Sequence, residues 1–107
     1  MLTYEEFRKL EIKVARIKEV TEHPNADKLY VIKIELGDSC EKQIVAGIRN
    51  YYKPEELLGR EVAVINNLEP ATIRGVESQG MLLAASDENG LSIIIPHREV
   101  KVGSIIK

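Results

Sequence analysis

Cysteine occurs once in the 107 residues, at Cys40. That excludes an internal disulfide framework and any zinc site built from several thiolates, and a reducing, cytoplasmic setting is expected. No apolar run approaches the roughly 20 residues needed to span a bilayer, and the opening stretch, MLTYEEFRKL, carries no signal-peptide core, so no membrane partner is expected. An excess of positive charge is also missing. Lysine and arginine number 15 against 17 aspartates and glutamates, a formal net charge of −2 with an isoelectric point near 5.7. The imbalance is not concentrated in one region: residues 1–36 hold seven basic and seven acidic side chains, residues 37–74 five and six, residues 75–107 three and four. A surface for an anionic polymer therefore has to be assembled by folding, because no stretch of the chain is basic by itself.

Aromatic residues are scarce as well, with one Phe, four Tyr and no Trp, while Ile, Val and Leu number 13, 9 and 10. β-Branched side chains suit a pleated surface, so this apolar set favours strands. Thr3 to Leu10 reads as a short helix, opened by a capping box between Thr3 and Glu6, with Leu2, Phe7 and Leu10 on one face. From Glu11 the period shortens to two, and the stretch Ala15 to Val20 slips phase as a bulged strand does. His23 to Asp27 is a turn; Tyr30, Ile32, Ile34 and Leu36 mark the clearest strand, and Glu41 to Ala46 its hairpin partner across Gly37-Asp38-Ser39. Pro54 to Gly59 has Pro at the start and Gly past the end of one or two helical turns. Arg60 to Ile65 is a strand, Asn66 to Gly75 a loop, Met81 to Ala85 a buried strand and Gly90 to Ile95 a last strand ending at Pro96. Five or more short strands with a helix between the third and fourth predict a mainly β OB-fold, a five-stranded Greek-key barrel, with short helices and terminal extensions. One domain spans 1–107: an N-terminal helix at 3–10, the barrel at 11–85 and a C-terminal extension at 86–107 whose apolar tail needs cover.

No catalytic constellation is present. His23 and His97 each adjoin a proline in an expected loop and read as exposed turn residues without metal-ligand spacing, so no metal or cofactor is expected. There is no nucleophile elbow, Walker A loop or dinucleotide fingerprint, and Cys40 lies in a polar turn with no histidine nearby in sequence. Binding features are better represented. The turn at His23–Leu29 exposes hydrogen-bonding groups, Lys33 lies on the polar side of the clearest strand, and Arg74-Gly75 with Ser78-Gln79-Gly80-Met81 forms a loop that a ligand can approach closely. Tyr51 and Tyr52 serve either as base-stacking platforms or as partial core before the helix.

Five ordered motifs extend this reading: His23-Pro24-Asn25-Ala26-Asp27-Lys28-Leu29; Ile44-Val45-Ala46-Gly47-Ile48; Tyr51-Tyr52 with Pro54-Glu55-Glu56-Leu57; Asn67-Leu68 with Pro70; and Ile73-Arg74-Gly75 with Ser78 and Gly80-Met81. Over essentially residues 3–107 the chain resembles the tRNA-binding domain found at the C-terminus of many methionyl-tRNA synthetases. That domain also occurs in free-standing structure-specific tRNA-binding proteins and in endothelial-monocyte-activating-polypeptide-II-like proteins. The resemblance implies an OB-fold that recognises tRNA by shape near its outside corner, and a homodimer formed by the N- and C-terminal segments. Carried over by motif, Asn25, Lys28, Lys33, Arg74, Ser78 and Met81 are the implied tRNA contacts, with Arg and Lys on phosphates, and Asn and Ser on sugar or phosphate oxygens. Met81 supplies either an apolar contact or a core side chain.

The implied function is a non-catalytic tRNA-binding and dimerising domain that assists aminoacylation next to a methionyl-tRNA synthetase catalytic region. A free-standing tRNA-binding protein, or a dimerisation module with weak or vestigial tRNA binding, are the alternatives. Relatives often carry basic residues around the Asn-Leu-Xaa-Pro loop. Here Glu69, Ala71 and Thr72 stand there, so salt-sensitive affinity of about micromolar or weaker per domain is expected.

Overall fold

A strand sends successive side chains to opposite faces, so an alternating segment buries one set and exposes the other. In the computed structural model, which describes residues 1–107, this rule shapes β1 (Ile12–Glu22), β2 (Tyr30–Glu35) and β3 (Glu41–Ala46). Along β2, Tyr30, Ile32 and Ile34 are buried while Lys33 is exposed. Antiparallel register places Val20 opposite Ile32 and Ile32 opposite Ile44, so the inward rows stack apolar on apolar. The β1–β2 register shifts between Ile17 and Glu19. Lys18 is the additional residue of a bulge, which accounts for the slipped phase in the sequence and increases the local twist a barrel requires.

β4 (Glu61–Ile65) pairs with the other edge of β1, Val14 opposite Ala63, and β7 (Met81–Leu82) pairs with β4, giving the sheet order β3-β2-β1-β4-β7. A hairpin of β5 (Ala71–Ile73) and β6 (Val76–Ser78) brings the two ends of this sheet together. Gln79 N–H donates to the Gln43 carbonyl (2.8 Å), Gln43 N–H to Gln79 Oε1 (2.9 Å), Gln43 Nε2 to the Glu77 carbonyl (2.9 Å), and Val45 N–H to Ser78 Oγ (2.9 Å). The result is a nearly closed, five-stranded antiparallel barrel of the OB type, as the strand pattern predicts. Its core consists of Ala15, Ile17, Ile32, Ile34, Ile44, Val62 and Val64 with a few neighbours. Helix α2 (Pro54–Leu57) packs beside β1 and buries Leu57 completely, a contribution of about 2 kcal/mol from apolar transfer. Tyr52, just before α2, is half-buried; its hydroxyl accepts Ile93 N–H (3.1 Å) and its carbonyl accepts the Tyr30 hydroxyl (2.7 Å). Burial raises the Tyr30 pKa above its ordinary value of 10.0. Tyr52 therefore fills the structural role, and Tyr51 stays exposed.

Helix α1 covers Tyr4–Phe7, shorter than the expected 3–10. The Thr3–Glu6 capping box is present, but Lys9 and Leu10 bond three residues back and tighten the chain out of the helix before β1 begins. The entry to β1 is fastened to the loop after β4. Asn67 Oδ1 accepts Glu11 N–H (2.8 Å), and Asn67 Nδ2 donates to the Lys9 carbonyl (2.7 Å). The Glu11 carboxylate takes Asn66 Nδ2 (2.6 Å) and pairs with Lys13 (3.3 Å), which together lower its pKa from the ordinary 4.5.

The single buried strand expected over Met81–Ala85 is not formed. Met81 and Leu82 pair with β4, and after Leu83 the chain leaves it for a hairpin of β8 (Ala84–Asp87), which is exposed, and β9 (Gly90–Ile93), whose Leu91 and Ile93 pack on the core. The ladder explains the break. Leu83 N–H donates to the Ala63 carbonyl (3.0 Å), while Ala63 N–H donates to Ile94 (3.0 Å) and Ile94 N–H to Leu83 (3.0 Å), so Ile94 returns to the same level and residues 84–93 form the hairpin between them.

The C-terminal segment runs back along β1 beyond the point where pairing with β2 ends. Gly103 N–H donates to the Val14 carbonyl (2.7 Å), Val14 N–H to Ser104 (2.9 Å) and Ile106 N–H to Ile12 (2.8 Å). Gly103 has φ +93°, and a Cβ there would lie 2.5 Å from the Leu36 carbonyl oxygen. No helix is long and apolar enough to cross a membrane.

Candidate nucleic-acid interface

Polar backbone in a loop needs partners when it is not in a ladder, and the loop between β1 and β2 finds them in its own side chains. His23 N–H donates to the Leu29 carbonyl (3.1 Å), which closes the base. The imidazole then turns inward. Asn25 N–H donates to His23 Nδ1 (2.9 Å), and the other ring nitrogen, Nε2, lies 2.9 Å from the Ile73 carbonyl at the end of β5. Because Nδ1 accepts, Nε2 must carry the proton and donate. His23 is 3% exposed, which corrects the expectation of an exposed turn residue: the ring fills the gap between the loop and the β5–β6 hairpin. His97 is exposed, and no group of three or more potential metal-ligating side chains occurs.

The hairpin tip supplies the opposite wall. Arg74 and Gly75 both have positive φ (53° and 90°), the type I′ geometry that matches strand twist, and a non-glycine residue there costs about 1 kcal/mol. The strained turn brings Arg74 onto the loop: Arg74 Nη2 donates to the Asn25 carbonyl (3.1 Å), and Asn25 Nδ2 donates to the Arg74 carbonyl (3.3 Å). On the other side Arg49, just after β3, donates from N–H to the Lys28 carbonyl (3.4 Å) and from Nη1 to Ala26 (3.4 Å), while Nη2 pairs with Glu22 (3.0 Å). Between these supports lies an open depression of about 380 Å³ lined by Asn25, Ala26, Asp27, Lys28, Leu29 and Arg74.

The outer face of the sheet continues from this loop. Register places Glu19, Lys33 and Gln43 in one row across β1, β2 and β3, with Lys33 exposed beside a carboxylate on one flank and an amide on the other. Folding thus brings Asn25, Lys28 and Arg74 together at one depression and leaves Lys33 on the adjoining strand face. Met81 is 45% exposed at the β7 edge and is not a core side chain. Ser78 is differently placed from the implied contact: it is 4% exposed, and its hydroxyl accepts Val45 N–H and donates to the Gly80 carbonyl (3.1 Å). Its proton and one of its lone pairs are thus engaged inside the barrel seam. Glu69, Ala71 and Thr72 are exposed on the hairpin approach and add no cation there.

Sequence reasoning missed His23 and Arg49. A side chain two residues before Asn25 in a Pro-Asn turn is in reach of that amide, as Asx side chains are, and this could have identified His23. Arg49 had no local signal, because its partners on the loop are more than 20 positions away.

Comparison with known proteins follows the same outline. A family model described as "Putative tRNA binding domain" matches residues 12–105. Methionine–tRNA ligase of Thermococcus kodakarensis is 55% identical over 106 residues, 99% of this chain. The chain spans only 14% of that protein's length. Among solved structures, the MetRS related protein from Pyrococcus horikoshii superposes with a TM-score of 0.92 at 35% identity, covering 100% of this chain and 98% of that one. The CsaA chaperone protein from Picrophilus torridus does so with a TM-score of 0.93 at 33% identity, covering 100% of both chains.

Proposed function

Because the chain belongs to the tRNA-binding domain family, we propose that it binds tRNA by shape through the β1–β2 loop, the β5–β6 tip and the outer face of β2. The observation that carries this reading is the depression in which Asn25, Lys28 and Arg74 converge, held from two sides by hydrogen bonds within the protein. Lys28, Arg74 and Lys33 take phosphates, and the Asn25 side chain takes a sugar or phosphate oxygen. Met81 lies at the far edge of the surface as an apolar contact, whereas Ser78 acts by holding the barrel seam shut. With a net charge of −2, affinity rests on a few well-placed cations, so it is modest and falls steeply with salt. The domain works beside a methionyl-tRNA synthetase catalytic region, where it raises the local concentration of tRNA. The test is fluorescence anisotropy of labelled elongator tRNA, with an RNA hairpin as control, at low and physiological salt. Saturable binding that prefers tRNA and fades with salt is expected. Absence of binding at low salt would remove this reading and leave dimerisation as the function.

The domain also associates with a second copy through its terminal segments. Leu2 and Leu10 before β1, and Ile94, Ile95 and Ile105 in the C-terminal region, are large apolar side chains left exposed. Sedimentation of the chain at micromolar concentration is expected to give a dimer, and Ile105→Glu, at a position 58% exposed, a folded monomer. A monomeric parent chain would refute the association.

A further inference from the structure

We propose that His23 is the positioning residue that makes the two walls of the tRNA surface a single preorganised unit; this rests on the tRNA reading above. The ring is the one side chain that bonds simultaneously into the β1–β2 loop, at Asn25 N–H, and into the β5–β6 hairpin, at the Ile73 carbonyl. Those bonds flank the reciprocal pair formed by Asn25 and Arg74, since Asn25 is the residue held at one end and Arg74 directly follows Ile73 at the other. At 3% exposure the imidazole has no surface for RNA, so its effect must pass through the residues it holds. The Asn25–Arg74 contacts are themselves exposed and bond in competition with water. The buried His23 bridge is not, so it fixes their spacing before RNA arrives and lowers the ordering cost of binding.

The two arms can be removed separately. His23→Asn keeps an acceptor near the Nδ1 position, for Asn25 N–H, but is too short to reach Ile73. His23→Gln can extend a donor toward Ile73 but lacks the Nδ1 acceptor, and His23→Ala loses both. Each single-arm variant is expected to weaken tRNA binding about five- to tenfold, the loss of one buried hydrogen bond, and His23→Ala by more. The salt slope stays at the parent value in all three, because no phosphate contact is deleted; a direct phosphate ligand would lower it by about one unit. In the protein alone, nitrogen-15 spectra of His23 should show the Nε2–H tautomer, and exchange of the Asn25 amide should accelerate in His23→Gln and His23→Ala but not in His23→Asn. All measurements are made well below each variant's melting midpoint. Parent-like affinity in every variant, or a slope lowered by one unit, overturns the positioning role. If the parent protein binds no tRNA, the tRNA reading fails on its own. The Asn25 exchange and the ring tautomer then still decide whether the bridge fixes the loop, and slow exchange in every variant refutes it.

Discussion

The Gly103→Ala variant is expected to melt about 10–20 °C below the parent chain. Two separate penalties combine at this position. A φ of +93° is left-handed territory for an L side chain, and the added methyl would sit 2.5 Å from the Leu36 carbonyl oxygen, a backbone atom with little freedom to retreat. Strain of about 1–3 kcal/mol and overpacking of a similar size follow. The internal control is Gly59→Ala: φ is +83° there, but no atom lies within 4 Å of the added Cβ, so only the conformational penalty of about 1 kcal/mol applies. Thermal melts of the two variants side by side separate the terms. Equal shifts would mean that the close approach between the C-terminal segment and the end of β2 carries no energetic weight.

Removing both cations of the depression, Lys28→Ala with Arg74→Ala, is expected to weaken tRNA binding about 30- to 100-fold at low salt and to flatten the salt dependence by about two units of slope. Arg74 contributes twice, as a charge and as the donor that holds the Asn25 carbonyl at 3.1 Å. The single Arg74→Ala variant should therefore cost more than Lys28→Ala while changing the slope by the same single unit. Lys33→Ala is expected to fall below both, because Glu19 directly opposite already offsets part of its charge. Anisotropy titrations at three salt concentrations read both quantities. An undiminished slope in the double variant would place the phosphate contacts elsewhere on the barrel.

The parts of this molecule that were legible in the sequence are those written in local periodicity. β2 alternates cleanly, Thr3 and Glu6 form the capping box, and the phase slip in Ala15–Val20 is the Lys18 bulge. What could not be read depends on distant partners. Met81–Ala85 has the composition of a buried strand, but Ile94 shares its level on β4, and residues 84–93 form a separate hairpin. His23 looked like an ordinary turn residue because its second partner, Ile73, is 50 positions away. Ser78 lies in a motif that the resemblance links to tRNA, yet Val45 engages its hydroxyl from across the barrel seam. Of the site itself, the loop and the tip were recognisable as binding features, while the bonds that lock one to the other appear only once β5 and β6 fold over β3.

The return of the C-terminal segment along β1 also fixes how such a unit can be joined to other polypeptide. Ile106 bonds Ile12, so the chain enters and leaves the barrel side by side at one end of β1. The loop that begins with His23 follows the opposite end, after the 11 residues of that strand, a distance of roughly 30 Å or somewhat more. Any covalent neighbour would thus be attached at one pole, with the β1–β2 loop and its depression at the other. Lengthening or exchanging such an attachment would shift the unit as a whole without tugging on the depression, so the surface and the point of attachment could vary independently.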